Sequence, residues 1–256
     1  MEFIPQLSPW IWCAIIAVAI VAAIAHGAIG FGFPLLSTPM VATFTDVRTA
    51  VLTTLLPNIV INTISVLRGK NWAQTLRQYW QVALFVFLGT LVGTQVLAYA
   101  NVQALKLLLA GMIFVYLLQS KLGAMRAIRL ERHPQVAKAV FGLLGGFFSG
   151  TVNVAVPPLL IYFSTLAIEP IVMTQAMNLC FLTGRATQTV ALVASGRIGG
   201  TIALLSIPLS LLAVGFLFVG FRVQRMIDPA TFIRILRYVL WAMATFLVAQ
   251  VAYAYL

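Results

Sequence analysis

Charged positions are sparse along this chain, and they divide it into long apolar stretches. From Phe3 to Thr45, 43 residues, no Asp, Glu, Lys or Arg occurs, and the one histidine is His26. As a single helix this stretch would run about 65 Å, roughly twice the ~30 Å hydrocarbon core of a bilayer, so it must turn back. The place to turn is His26-Gly27-Ala28-Ile29-Gly30-Phe31-Gly32-Phe33-Pro34. Glycine tolerates positive φ and proline lacks an N–H, so three glycines and a proline predict a broken helix. The expected result is a hairpin with limbs near 9–26 and 33–45, followed by spans near 49–67, 79–99 and 103–120. A polar segment, 121–138, carries five basic residues, Glu131 and His133. Beyond it, 139–168 is again uncharged and is interrupted by Gly142, Gly145, Gly146, Gly150, Pro157 and Pro158. Spans near 171–194, 201–221 and 231–254 complete the pattern. Long unbroken apolar runs predict an all-α polytopic membrane protein of about 8–10 membrane segments, and not the short alternating strands of a β-barrel.

The two halves resemble each other. Phe33-Pro34-Leu35-Leu36 aligns with Pro157-Pro158-Leu159-Leu160 at a separation of 124. Arg68-Gly69-Lys70 aligns with Ser195-Gly196-Arg197 at 127, as does Val92-Gly93 with Val219-Gly220. This divides the chain into a first transmembrane repeat (1–120), a basic linker (121–138) and a second repeat (139–256). Each repeat is expected to be a Gly/Pro-broken hairpin plus three transmembrane helices.

Composition strengthens this reading. Hydrophobic residues make up 62% and charged ones 8%, against about 45–50% and 25% in soluble domains. With a mean hydropathy of +1.03, too few polar residues remain to cover a soluble domain of any size. The formal net charge of +11 would point to nucleic acid in a soluble chain, but here basic residues record orientation. Arg68, Lys70 and Arg77 follow the third element, and the next loop, Tyr99–Ala104, has no charge. In the second half the order reverses: one loop has only Arg197, the next Arg222 and Arg225, with Arg234 and Arg237 close behind. The halves are therefore expected to face opposite ways, with the linker cytoplasmic and both termini outside, the inverted-repeat plan of secondary transporters. No basic residue precedes the first apolar stretch, which is read as a retained membrane segment and not as a signal peptide.

The candidate chemistry is that of anion binding. Broken backbone at membrane depth survives only inside protein or beside water, and half-helix N-termini there attract anions. Gly27, Gly30, Gly32 and Pro34 shape the first break, and Gly150, Asn153, Pro157 and Pro158 the second; close helix packing is the competing use of the glycines. Arg185 lies within an apolar span with no carboxylate near it in sequence. It either attracts the substrate or bonds backbone carbonyls. Asn58, Asn62 and Gln188 are placed to hydrogen-bond anion oxygens or to glue helices together, as are Thr183 and Thr187 beside Arg185. His26 is a candidate ligand, proton carrier or helix-end residue. Cys13 and Cys180 sit in apolar runs, so neither a disulfide nor a metal site is expected, and no cofactor motif occurs. Ser149 lies in a faint intramembrane-protease elbow, but no histidine follows it, and the chain is not expected to be an enzyme. With no acid deep in a span, and with an inside-negative potential favouring anion exit, export is the expected direction.

The motif His26-Gly-Ala-Ile-Gly-Phe-Gly-Phe-Pro-Leu-Leu with Pro39, the Pro57-Asn58 element and Arg68-Gly69-Lys70-Asn71-Trp72 resemble the TauE/SafE sulfite-exporter (TSUP) family. The segment Gly142-Leu-Leu-Gly-Gly-Phe-Phe-Ser-Gly150 with Pro157-Pro158-Leu-Leu resembles that family's second repeat. It departs from it at Thr151-Val-Asn-Val-Ala155, where the family keeps more glycine. The resemblance implies transport of sulfite, sulfonates or related organosulfur anions across the bacterial inner membrane. The expected partners are that small anion and membrane lipid. An importer of the same anions is the alternative, followed by a membrane-embedded enzyme or an assembly factor.

Overall fold

The computed structural model describes residues 7–68, 72–130, 133–166, 168–198, 200–226 and 228–255. Gly69, Lys70 and Asn71 of the basic motif, and Glu131 and Arg132 of the linker, lie outside the described residues. Among the described residues there are ten helices and no strand: α1 (Pro9–Ile29), α2 (Gly32–Ala42), α3 (Val47–Arg68), α4 (Trp72–Tyr99), α5 (Val102–Leu130), α6 (Pro134–Val152), α7 (Val156–Ser164), α8 (Pro170–Ala194), α9 (Gly200–Val223) and α10 (Pro229–Ala254). Proline opens α1, α6, α7, α8 and α10, where its missing N–H costs nothing. Asp46 caps α3 by accepting from Arg48 N at 2.8 Å and Thr49 N at 3.1 Å, and Asp228 caps α10 by accepting from Thr231 N.

Both expected hairpins are present. In the first, α1 and α2 meet at Gly30–Phe31. In the second, Phe141 of α6 stacks on Tyr162 of α7 and Gly145 faces Leu159, so the limbs run antiparallel from a turn at Asn153–Ala155. Two helices exceed their expected bounds. α4 begins at Trp72, ahead of the apolar window, and α5 continues to Leu130 through much of the polar segment. Hydropathy marks the part of a helix that suits lipid, while the backbone hydrogen bonding continues past it.

Among the described residues, seven helices are long and apolar enough to cross a membrane: α1, α3, α4, α5, α6, α9 and α10. The chain is an all-α polytopic membrane protein. α8 is long but carries Gln175, Asn178, Arg185 and Gln188, all buried, and it packs against α3, α4, α6 and α7. Protein on several sides lets it be the more polar helix. The outward faces of α4 and α9, with Leu84, Leu88, Val92, Leu211 and Phe218 exposed, are apolar, as lipid requires.

The packing has a regular plan. α4 lies along α6 and α8, and α9 along α1 and α3. α3 and α8 pack together, as do α5 and α10. Exchanging α1–α5 with α6–α10 turns these pairings into one another. The two tightest crossings also correspond. A Cβ on Gly27 would stand 2.5 Å from the Leu217 carbonyl oxygen and 2.7 Å from Gly220 Cα. One on Gly150 would stand 2.5 Å from the Thr90 carbonyl oxygen and 3.0 Å from Gly93 C. Gly27 and Gly150 are 123 residues apart; Leu217 and Thr90, like Gly220 and Gly93, are 127 apart.

Candidate functional site

The two helix breaks are built alike. α1 ends at Gly30 with φ 90°, and α6 ends at Asn153 with φ 60°; both are left-handed C-caps. Asn153 is the one non-glycine residue with positive φ among the described residues. Asparagine tolerates this conformation better than other side chains do, and here it also brings a carboxamide to the turn. Pro34 lies in the first turn of α2, and Pro157 and Pro158 in that of α7, all buried. Gly32 follows the first break, and a Cβ there would press on the backbone of Ala25 and His26.

The breaks are joined by polar side chains on α3. Thr54, Asn58, Asn62, Ser65 and Arg68 follow one another every three or four residues, and so share one face of the helix. Asn62 Nδ2 donates to Asn58 Oδ1 at 2.8 Å, and Asn58 Nδ2 donates to Asn153 Oδ1 at 3.3 Å. Asn153 Nδ2 in turn donates to Thr38 Oγ1 at 2.7 Å. The amide chain is fully buried, and Asn62 Oδ1 at its end has no partner. One turn further along α3, Ser65 Oγ donates to the Ile61 carbonyl and meets His26 Nε2 at 2.9 Å. Phe33 N donates to His26 Nδ1 at 3.3 Å. This pattern assigns the neutral Nε2–H tautomer to His26, with the ring fastening the start of α2 to α3.

Arg185 lies on α8, 1% exposed. Its guanidinium donates to the Ser149 carbonyl and hydroxyl and to Gln188 Oε1, and Gln188 Nε2 donates to the Gly150 carbonyl at 2.6 Å. Arg185, Gln188 and Gly150 thus come together, with Ser149 as the residue that joins them to α6. Thr183 and Thr187 bond back to their own helix, not to Arg185. Asn178 donates to the Gly30 carbonyl at 2.7 Å and ties α8 to the first break.

Beside the first break lies a cavity of about 420 Å³, walled by Gly27, Gly30, Ser65, Arg68, Gln175 and Phe221 among others. Arg68, Ser65 and Gln175 were not singled out as site residues from the sequence. The signal was the spacing of polar residues on α3, which leads from Asn58 through Ser65 to Arg68. Ser149 was visible only as part of a protease-like motif, and its partnership with Arg185 spans 36 residues. Cys13 is exposed and Cys180 buried, both free, and among the described residues no group of His, Cys, Asp and Glu could hold a metal ion. A family model described as Sulfite exporter TauE/SafE matches residues 15–247. No curated protein and no solved structure matches the chain.

Proposed function

The chain belongs to the TauE/SafE sulfite-exporter family, and from that premise we propose that it is a secondary transporter that moves sulfite, sulfonates or related organosulfur anions out across the bacterial inner membrane by alternating access. The observation that carries the anion reading is the content of the buried polar seam. Among the described residues its side chains are amides, hydroxyls, one neutral histidine and a single charge, that of Arg185. A cation without a buried carboxylate leaves net positive potential inside a low-dielectric protein, and an anion is the species that gains from it. Arg185 acts through this potential, because its donors are held by Ser149 and Gln188. Asn58, Asn62 and Asn153, whose amides donate to one another and to Thr38 in this structure, turn those donors to the anion's oxygens once the chain opens. His26, Gly27, Gly30, Gly32 and Pro34, with Gly150, Pro157, Pro158 and Gln188, hold the two breaks in shape.

The reading includes two inverted repeats, 1–120 and 139–256. The exchange of helix pairings between halves, the matched Gly27–Gly220 and Gly93–Gly150 crossings and the paired left-handed caps support it. With the basic segments inside, the linker is cytoplasmic and both termini are periplasmic; reporter fusions finding 121–138 outside would overturn that orientation. Export needs no coupling ion in principle, since the membrane potential favours anion exit by about 2.3 kcal/mol per charge per 100 mV. The test of the substrate class is transport by purified protein in proteoliposomes, with sulfite, short-chain sulfonates and thiosulfate offered in turn. Saturable movement of at least one sulfur anion is expected, together with a thermal shift of the purified protein by that anion. No movement and no shift across the panel would reject the class.

A further inference from the structure

Arg68 closes α3 at the mouth of the cavity beside Gly30. Its guanidinium carbon lies 3.6 Å from the centroid of the Phe221 ring. Among the described residues it has neither a carboxylate nor a hydrogen-bond acceptor for its five N–H groups. The Arg68–Phe221 pair borders two spaces. On one side is the 420 Å³ cavity, reaching Gly27, Gly30, Ser65 and Gln175. On the other is a groove of about 600 Å³ walled by Arg222 and Arg225 along with Leu67 and Phe218. The groove concentrates basic charge, and the cavity leads from it toward the polar face of α3.

We propose that this cavity is the loading site of the transported anion, with Arg68, laid on Phe221, as the side chain that first takes hold of it. The inference rests on the transport reading above but concerns a different residue from Arg185 and a different place. An aromatic ring under a guanidinium leaves its edge free, and the planar fork suits two oxygens of a sulfite or sulfonate group at once. The exposed first turn of α8, at Pro170 and Ile171, turns a positive helix end toward the same cavity, which Gln175 also walls while its amide donates to the Val66 carbonyl. Arg222 and Arg225 raise the local anion concentration at the entrance.

The experiment uses the full chain in proteoliposomes, with radiolabelled sulfite offered to the face that bears Arg68. Relative to wild type, Arg68→Gln is expected to raise KM by at least about tenfold, through the loss of charge-assisted hydrogen bonding by the fork. Its turnover and melting temperature should stay near the wild-type values. Arg68→Lys keeps the charge but not the fork and should fall between. An unchanged KM for Arg68→Gln, or a fall in turnover alone, overturns the proposal. Independently of transport, phenylglyoxal modification of wild-type Arg68, followed by peptide mass spectrometry, should slow when sulfite is present. Equal modification rates with and without sulfite also overturn it. Protection of Arg68 in a protein that moves no anion would instead reject the transport reading and leave the binding site standing.

Discussion

Arg185 and Asn153 are the residues on which the site's geometry turns. An arginine within an apolar helix costs at least about 2.5–3.5 kcal/mol by insertion scales unless it is satisfied. Here the satisfaction comes from Ser149 and Gln188. Arg185→Gln is therefore expected to destabilise the protein by about 2 kcal/mol, since it leaves buried acceptors without donors. Arg185→Lys should recover little of this, because a single ammonium does not span Ser149 and Gln188 as the fork does. Thermal melting in detergent measures both. Asn153 separates conformation from chemistry. Asn153→Gly keeps the left-handed turn and loses the bonds to Asn58 and Thr38, whereas Asn153→Ala loses both, so alanine should be worse by about 1 kcal/mol. Equal melting temperatures for the two variants would show that the turn carries no strain. Arg185 was legible in the sequence because a charge amid apolar residues stands out. Its acceptor Ser149 was not, since only the packing of α6 on α8 brings the two together.

At the scale of elements, apolar runs and Gly/Pro interruptions located both hairpins and the long helices, although α8, expected as a span near 171–194, is too polar to count among those able to cross a membrane. What they did not reveal is which glycines are contact surfaces and which are not. Gly27, Gly93, Gly150 and Gly220 sit where helix backbones touch, and the atom that an added Cβ would strike is backbone, which cannot swing aside. Gly27→Val and Gly150→Val should each separate a crossing, α1 from α9 or α4 from α6, and abolish recovery of folded protein. Gly111, inside α5, faces nothing within 4 Å. There Gly111→Ala should stabilise by about 0.5–1 kcal/mol through helix propensity alone. Size-exclusion recovery and melting temperature distinguish the two kinds of glycine. If Gly150→Val behaved like Gly111→Ala, the close packing of α4 on α6 would be wrong.

At the scale of the molecule, the two ends of the central pair α3 and α8 differ. Asp46 and Glu169 precede these helices 123 residues apart, and the same separation sets Leu52 against Gln175. At the Arg68 end, Gln175 walls a cavity. At the other end, Leu52 packs with Leu192 and partly buried Ile198 in a small apolar cluster of its own. On the transport reading proposed above, a helix pair with one end polar and open and the other apolar and closed is what a carrier facing one side presents. The apolar cluster is then the seal that parts when the carrier faces the other way. The likeness of the two halves was visible in the sequence but this asymmetry was not, because Leu52 and Leu192 read as two apolar residues among many. In a background with Cys13→Ser and Cys180→Ala, Ser65→Cys should react with a membrane-impermeant thiol reagent added on the Arg68 side. Leu192→Cys should resist the same reagent added on the opposite side. During sulfite turnover the ranking should shift: Leu192→Cys reacts faster as the seal opens, and Ser65→Cys slower as the cavity closes. The two rates must move in opposite directions, because one rearrangement governs both ends. If the Leu192→Cys rate ignores substrate while transport proceeds, the anion leaves by another route and the cluster is only packing.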